Sequence, residues 1–206
     1  MTTTTTTRWW WIRHAPVINP DGKIYGQSDL AADLSDASQF DELAKNLPED
    51  AIWLTTTLQR ARETAKKLAA RISPQQSVTE DDSLREQAFG DWEGARWDDI
   101  PARESDPYWQ DPAQTRMPEG ESFTDVVARV TTTVERLNSN HSGRNIIAVA
   151  HAGSIRAAIS HALGGEPQAA LSFKLSPLSL TRIDAIHRDG KIWWRVSGVN
   201  LFGNHS

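Results

Sequence analysis

The chain has 206 residues, 38% of them hydrophobic, no cysteine, and a net charge of −5 from 22 Lys+Arg against 27 Asp+Glu. A chain of this length buries roughly 70% of the surface its unfolded form exposes, so one domain over 1–206 is expected without a metal or disulfide staple, and the missing cysteines exclude thiol catalysis, zinc–thiolate sites and disulfide frameworks. There is no basic stripe for nucleic acid, no run near the ~18 apolar residues of a membrane helix, and no signal-peptide pattern in Met1–Thr7, so a soluble, cytoplasmic protein is expected with neither nucleic acid nor membrane as partner.

In chain order, residues 1–7 read as a flexible low-complexity tail. Trp9-Trp10-Trp11-Ile12 then reads as a short apolar strand, because bulky aromatic residues favour strands. It ends abruptly at Arg13-His14-Ala15-Pro16, where proline prevents continuation. Asn19-Pro20-Asp21-Gly22 is turn chemistry, and Tyr25-Gly26-Gln27-Ser28-Asp29 continues the loop. Ser35 is placed to cap a helix over Asp36–Asn46, with Phe40, Leu43, Ala44 and Leu47 at helical spacing and Pro48 as its stop.

Ala51-Ile52-Trp53-Leu54 repeats the strand pattern, followed by a polar Thr55-Thr56-Thr57 turn and a helix over Leu58–Arg71. Arg60 falls in the first turn of that helix, where a cation opposes the macrodipole; either it points to solvent or an anion meets it there. A short strand is expected around Val78. Leu84–Gly94 mixes carboxylates, aromatics and glycines, and the Pro-, Asp- and Gln-rich composition from Pro101 to Glu119 reads as irregular, making 95–121 an insertion or lid.

Ser122–Asn140 carries the clearest helical pattern, through Phe123, Val126, Val127, Val130, Val134 and Leu137, with Ser122 and Asp125 as a capping box. Asn145–Ala150 is the strongest strand, continuously apolar as in a parallel sheet covered on both faces. It ends at His151-Ala152-Gly153-Ser154; Ile155–Leu163 resumes as helix, closed by Gly164-Gly165. Leu178–Ile186 and Lys191–Val199 pair as a hairpin about Arg188-Asp189-Gly190.

Three strand ends therefore carry the same kind of group: Arg13 and His14, then Arg60, then His151. In a parallel sheet these junctions share one edge, so the four groups converge beside helix N-termini and make a phosphate pocket. Arginine suits forked contact with phosphate oxygens, and the histidines add donors or a nucleophile. His141, His161, His187 and His205 have no partner pattern, so no metal cluster is expected.

Arg13-His14-Ala15, Leu58-Gln59-Arg60-Ala61-Arg62-Glu63-Thr64-Ala65, Leu84-Arg85-Glu86-Gln87-Ala88-Phe89-Gly90-Asp91-Trp92-Glu93-Gly94 and Ala150-His151-Ala152-Gly153-Ser154-Ile155-Arg156 resemble, in order, the four motifs of the histidine phosphatase superfamily. The resemblance implies the phosphoglycerate mutase-like α/β fold, a three-layer α/β/α sandwich with a mostly parallel central sheet. It implies His14 as nucleophile, Arg13, Arg60 and His151 as catalytic cradle, and Glu86 as the acid that protonates the leaving oxygen. Ala152, with Arg13, Arg60 and His151, would bind phosphate; Asn19, Tyr25 and Gly26 would lie near substrate. Within the phosphatase branch, the chain looks like α-ribazole phosphatase-type enzymes.

The chemistry accepts these roles. Phosphoryl transfer asks for in-line placement and charge stabilisation, and covalent catalysis on histidine needs no metal or other cofactor. Two guanidinium groups disfavour imidazolium and keep His14 neutral for attack. A carboxyl beside Phe89 and Trp92 could protonate an alkoxide if burial raised its pKa from ~4.3 toward ~6–7. By residue type alone Glu93 and Asp91 compete for that role.

The chain departs from the family pattern at Ala15-Pro16, where glycine is usual and where alanine requires negative φ. Asn19 sits one residue short of the usual Asn spacing. Gly153 stands where the mutases have Asn, and their adjacent arginines have no counterpart between Pro101 and Met117. The expectation is therefore a metal-independent phosphomonoesterase for a small phosphate ester, with room for a homodimer. A phosphoglycerate-type mutase and a catalytically decayed phospho-ligand binding protein are the alternatives.

Overall fold

The computed structural model describes residues 4–19 and 21–202, so Pro20, Met1–Thr3 and His205 lie outside the described residues. Six strands form one sheet: β1 (Thr5–Arg13), β2 (Ala51–Thr55), β3 (Val78–Glu80), β4 (Asn145–Ala150), β5 (Leu180–Arg188) and β6 (Lys191–Leu201). Their order across the sheet is β3-β2-β4-β1-β5-β6. The first four are mutually parallel and β5 and β6 are antiparallel additions.

Alternation along the strands sorts the core into two layers. Trp9 and Trp11 of β1 join Ile146, Ala148 and Ala150 of β4 on one face, whereas Ile12, Ile147 and Val149 join the core on the other. Period-two alternation in strands covered on both faces produces this division. The first face is covered by α4 (Phe123–Asn140), α5 (Ala152–Ala162) and α6 (Pro167–Ala170), the second by α1 (Ala37–Lys45) and α2 (Gln59–Ile72). This is the expected three-layer α/β/α arrangement. Trp9 and Trp11 stack with ring centroids 5.0 Å apart, and the buried Trp9 indole N–H finds Asn138 Oδ1 at 2.8 Å.

Four local expectations need correction. The run expected as a tail is strand from Thr5 onward: Thr5–Thr7 pair with Ala185–His187, and Thr7 is fully buried. The β-branched threonines suit a strand once a distant neighbour supplies the ladder, which local composition does not reveal. The first helix is capped by Asp36, whose Oδ1 accepts from Gln39 N–H at 3.0 Å, while Ser35 N–H is held by Asp33. Within 95–121 the chain forms α3 (Ala102–Gln110), stabilised by tertiary packing of Tyr108 and Trp109 against Trp97 despite an internal Pro107. Helix α5 begins at Ala152, so Gly153 and Ser154 lie in its first turn.

The capping box of Ser122 and Asp125 is present, and the hairpin turn consists of Asp189 and Gly190, both at positive φ as a two-residue turn requires. Among the described residues no helix is long and apolar enough to cross a membrane.

A chain beginning at Arg8 forfeits the Thr5–Thr7 ladder and the buried Thr7 hydroxyl, which accepts from Gly143 N–H at 3.0 Å. At about 1 kcal/mol net per hydrogen bond, this truncation should destabilise by about 2–4 kcal/mol and lower Tm by about 5–10 °C. Differential scanning calorimetry checks it; an unchanged Tm would mean that the strand extension contributes nothing.

Candidate active site

The carboxyl ends of β1, β2 and β4 are level, since Arg13 pairs with Ala150 and Thr55 with Val149. The residues that follow are therefore brought to one edge. His14 and His151 face each other with ring centroids 5.1 Å apart, and His14, Arg60 and His151 are each no more than 1% exposed. Four buried side-chain atoms here have no protein partner among the described residues: Arg13 Nε, Arg60 Nε, His14 Nε2 and His151 Nδ1.

Each group is oriented by the atoms it does bond. His14 Nδ1 lies 2.7 Å from Ala15 O. A carbonyl only accepts, so Nδ1 carries the proton and Nε2 the lone pair. Arg60 donates to Ser28 O at 2.7 Å and to Gly26 O, with its guanidinium 5.0 Å from the centre of the Tyr25 ring. Arg13 donates to Leu175 O at 2.6 Å. His151 Nε2 shares a 2.9 Å hydrogen bond with Thr56 Oγ1, which turns Nδ1 to the other side of the ring.

Burial is the largest cause pulling the His14 pKa down, to about 3; Arg60 and then Arg13 act in the same direction, and the bond to Ala15 O opposes them. His151 is also held well below 6.5, by burial first and then by His14 and Arg60. Both imidazoles are thus neutral near pH 7, beside two guanidinium groups that remain charged.

Glu86 reaches the site from the loop after β3. Its Oε1 accepts from Gly153 N–H at 2.8 Å and Gln87 N–H at 3.0 Å, and its Oε2 takes no protein hydrogen bond among the described residues. Gly153 explains itself through this contact: a Cβ there would lie 2.2 Å from Glu86 Oε1. The acid occupies the space that a side chain at 153 would need.

The competing carboxylates are engaged elsewhere. Glu93 accepts from Gln27 N–H and Phe89 N–H through Oε1 and from Ser28 hydroxyl through Oε2, stapling the 25–28 loop beneath Arg60. Asp91 is exposed. Tyr25 and Gly26 do come to the site, but as supports for Arg60. Gly26 must be glycine because its φ is +35° and a Cβ would strike Glu93 Oε1 at 2.2 Å.

Asn19 spends both ends of its amide on Lys23, Nδ2 donating to O at 2.8 Å and Oδ1 accepting from N–H at 3.1 Å, which closes its turn. Ala152 opens α5, where helix geometry leaves the N–H without an intrahelical partner. Ala15 is fully buried, is not among the residues at positive φ, and donates its N–H to Thr64 Oγ1 at 3.0 Å. The departure from glycine is accommodated.

Sequence reasoning missed the roles of Thr56, Thr64 and the Gly153 amide. Thr56 and Thr64 each lie four positions from Arg60 and are fully buried, but burial is a tertiary fact that the sequence does not display. Arg156 belongs with them: its Nε donates to Phe173 O at 2.9 Å, and its charge interacts favourably with Glu86. Among the described residues no group of three or more His, Asp or Glu is placed to hold a metal ion.

Comparison with known proteins agrees with this geometry. The family described as histidine phosphatase superfamily (branch 1) matches residues 9–197. An uncharacterized Mycobacterium tuberculosis protein, Rv0525, is 33% identical over 150 residues, covering 68% of this chain and 70% of its own. The solved structure of mycobacterial glucosyl-3-phosphoglycerate phosphatase Rv2419c superposes with a TM-score of 0.83 at 26% identity, over 96% of this chain and 99% of that one. An Escherichia coli structure, described as a candidate alpha-ribazole-5'-P phosphatase, shares the fold with a TM-score of 0.76 at 23% identity, over 97% and 99% of the two chains.

Two outcomes follow from the geometry. His14 titrates near 6.5 when unfolded and near 3 when folded, so between these values the unfolded chain binds more protons and stability rises with pH. Urea unfolding at pH 7, 6 and 5 should show stability falling with acid, and His14→Asn should reduce that slope by up to about 1.4 kcal/mol per pH unit; equal slopes in both proteins would contradict the buried neutral imidazole. Gly153→Ala should keep its Tm within a few degrees, because the clashing atom is the mobile end of Glu86. Activity should nonetheless fall by about 10²-fold as that carboxylate is displaced, and unchanged kcat would separate Glu86 from the reaction.

Proposed function

Because the chain belongs to the histidine phosphatase superfamily, we propose that it is a metal-independent phosphomonoesterase that hydrolyses a small phosphorylated metabolite through a phosphohistidine on His14. Family membership and the phosphatase among its structural neighbours support a phosphatase; the mechanism is our reading of the side chains. The observation that carries it is the His14 tautomer: Ala15 O fixes the proton on Nδ1 and so presents the Nε2 lone pair among cationic donors.

In the first step, His14 Nε2 attacks phosphorus as the P–O bond to the leaving group breaks, and Glu86 gives its proton to the departing oxygen. Arg13, Arg60, His151 and the N–H groups opening α5 stabilise the charge on the equatorial oxygens. In the second step, water attacks the phosphohistidine, Glu86 takes the proton from water, and the P–N bond breaks to restore His14 and release phosphate. Because the active groups stand on rigid strand ends, the nucleophile and cradle are placed before substrate arrives.

The substrate class follows from what surrounds the cradle. Arg156 adds a cation whose charge reaches Glu86, Arg13 and Tyr108. A compact phosphate ester of an organic acid or sugar suits that added cation, and the neighbouring glucosyl-3-phosphoglycerate phosphatase supports such a choice.

With p-nitrophenyl phosphate in EDTA, the wild-type protein should turn over and His14→Ala should lose about 10⁴-fold or more in kcat/KM. Acid-labile, base-stable phosphate should be trapped on the wild type alone. Activity surviving His14→Ala, or strictly dependent on added metal, would overturn the mechanism. Glu86→Gln should lose about 10²–10⁴-fold on an alkyl phosphate and much less on p-nitrophenyl phosphate, whose leaving group needs no proton; equal losses on both would remove the acid role.

A further inference from the structure

The loop that carries Glu86 lies between two single 3₁₀ turns, Asp82–Leu84 and Gly90–Trp92, and has no regular structure of its own. An acid that must meet a leaving oxygen to within a fraction of an ångström needs a firmer mount than that. The mount is an ion pair that contacts no proposed substrate position.

Arg129, on α4, donates Nη1–H to Ser83 O at 2.8 Å and Nη2–H to Glu86 O at 3.0 Å. The same guanidinium makes a forked contact with the Glu121 carboxylate, Nε–H to Oε1 at 2.8 Å and Nη2–H to Oε2 at 3.0 Å. Glu121 grips the far side of the loop: Oε2 accepts from Ala88 N–H at 2.9 Å, its main-chain O accepts from the Gln87 side-chain amide at 2.9 Å, and its N–H donates to Ala88 O at 2.8 Å. Residues 83, 86, 87 and 88 are thus held from both sides by one pair.

We propose that Arg129 and Glu121 are positioning residues for Glu86, a bracket that fixes the proton donor opposite the cradle and so sets the rate with substrates whose leaving group needs a proton. The inference rests on the acid role given to Glu86 above. The geometry distinguishes this bracket from a surface ion pair. Both side chains are about four-fifths buried, the contact is bidentate, and every nitrogen of the guanidinium is used. Lysine, with one ammonium on a flexible stem, cannot reproduce four directed hydrogen bonds.

Glu121 is also the last residue of the 95–121 excursion. That segment is anchored by Trp97 against Phe89, the last residue of the Glu86 loop, and against Trp92 in the 3₁₀ turn that follows. The bracket therefore ties three segments, α4, the excursion and the acid loop, at a single point.

The test compares kcat and KM for p-nitrophenyl phosphate and for an alkyl phosphate such as glycerol 2-phosphate, in wild type, Arg129→Lys, Glu121→Gln and Glu86→Gln. For either bracket variant, kcat with the alkyl ester should fall by about 10–10²-fold, with KM little changed and the aryl ester far less affected. Combined with Glu86→Gln, Arg129→Lys should add no further leaving-group discrimination. Equal losses on both substrates, or a full additional loss in the Glu86→Gln background, would overturn the bracket and leave a purely structural ion pair. If Arg129→Lys fails to fold, the isosteric Glu121→Gln carries the same comparison. Failure of Glu86→Gln itself to discriminate between leaving groups would overturn the acid assignment, whatever the bracket variants do.

Discussion

Everything at the active edge depends on holding two guanidinium groups, Arg60 buried and Arg13 partly buried, beside two imidazoles without a carboxylate paired directly to either arginine. Arg60 is fully buried, and a lone cation there would be costly. The fold meets that cost with main-chain oxygen and an aromatic face: Gly26 O, Ser28 O and the Tyr25 ring for Arg60, Leu175 O for Arg13. The histidines meet it by staying neutral. The site is thus positively charged with Glu86 as the carboxylate whose charge reaches Arg60, and the sheet beneath, apolar on both faces, prevents the groups from separating.

A second consequence is a division of labour among carboxylates. Glu93 holds the loop that supports Arg60, Glu121 braces the loop that carries Glu86, and Glu86 alone has an oxygen left without a protein partner near the cradle. Three acids within a few dozen residues of one another look equivalent in composition. Their roles differ only in which N–H groups the fold aims at them.

That difference also marks how far the sequence could be read. The strand Asn145–Ala150 and helix Phe123–Asn140 were legible because their apolar periods are long and consistent, and the convergence of Arg13, His14, Arg60 and His151 followed from parallel strands sharing an edge. The N-terminal threonines were not, because their strand partner lies about 180 residues away. The bonds that Asn19 makes to Lys23 were not legible either, because an Asn amide can satisfy itself within a turn as readily as it binds a ligand. Thr56 and Thr64 carry no pattern at all until burial shows that their hydroxyls have one place to go. The Pro-, Asp- and Gln-rich composition from Pro101 to Glu119 suggested an irregular cover, whereas Tyr108 and Trp109 pack with Trp92 and Trp97 and the segment carries helix α3.

The unbalanced charge of the cradle has a thermodynamic side. A dianion entering the site supplies counter-charge to the arginines, so the repulsion that adds to burial in lowering both histidine pKa values is returned as binding energy. Ligand affinity and conformational stability are then coupled through one reservoir of electrostatic stress. The coupling does not distinguish an ester from the phosphate it becomes: product is held by the same oxygens as substrate, and the architecture that draws the ester in also resists letting the anion go.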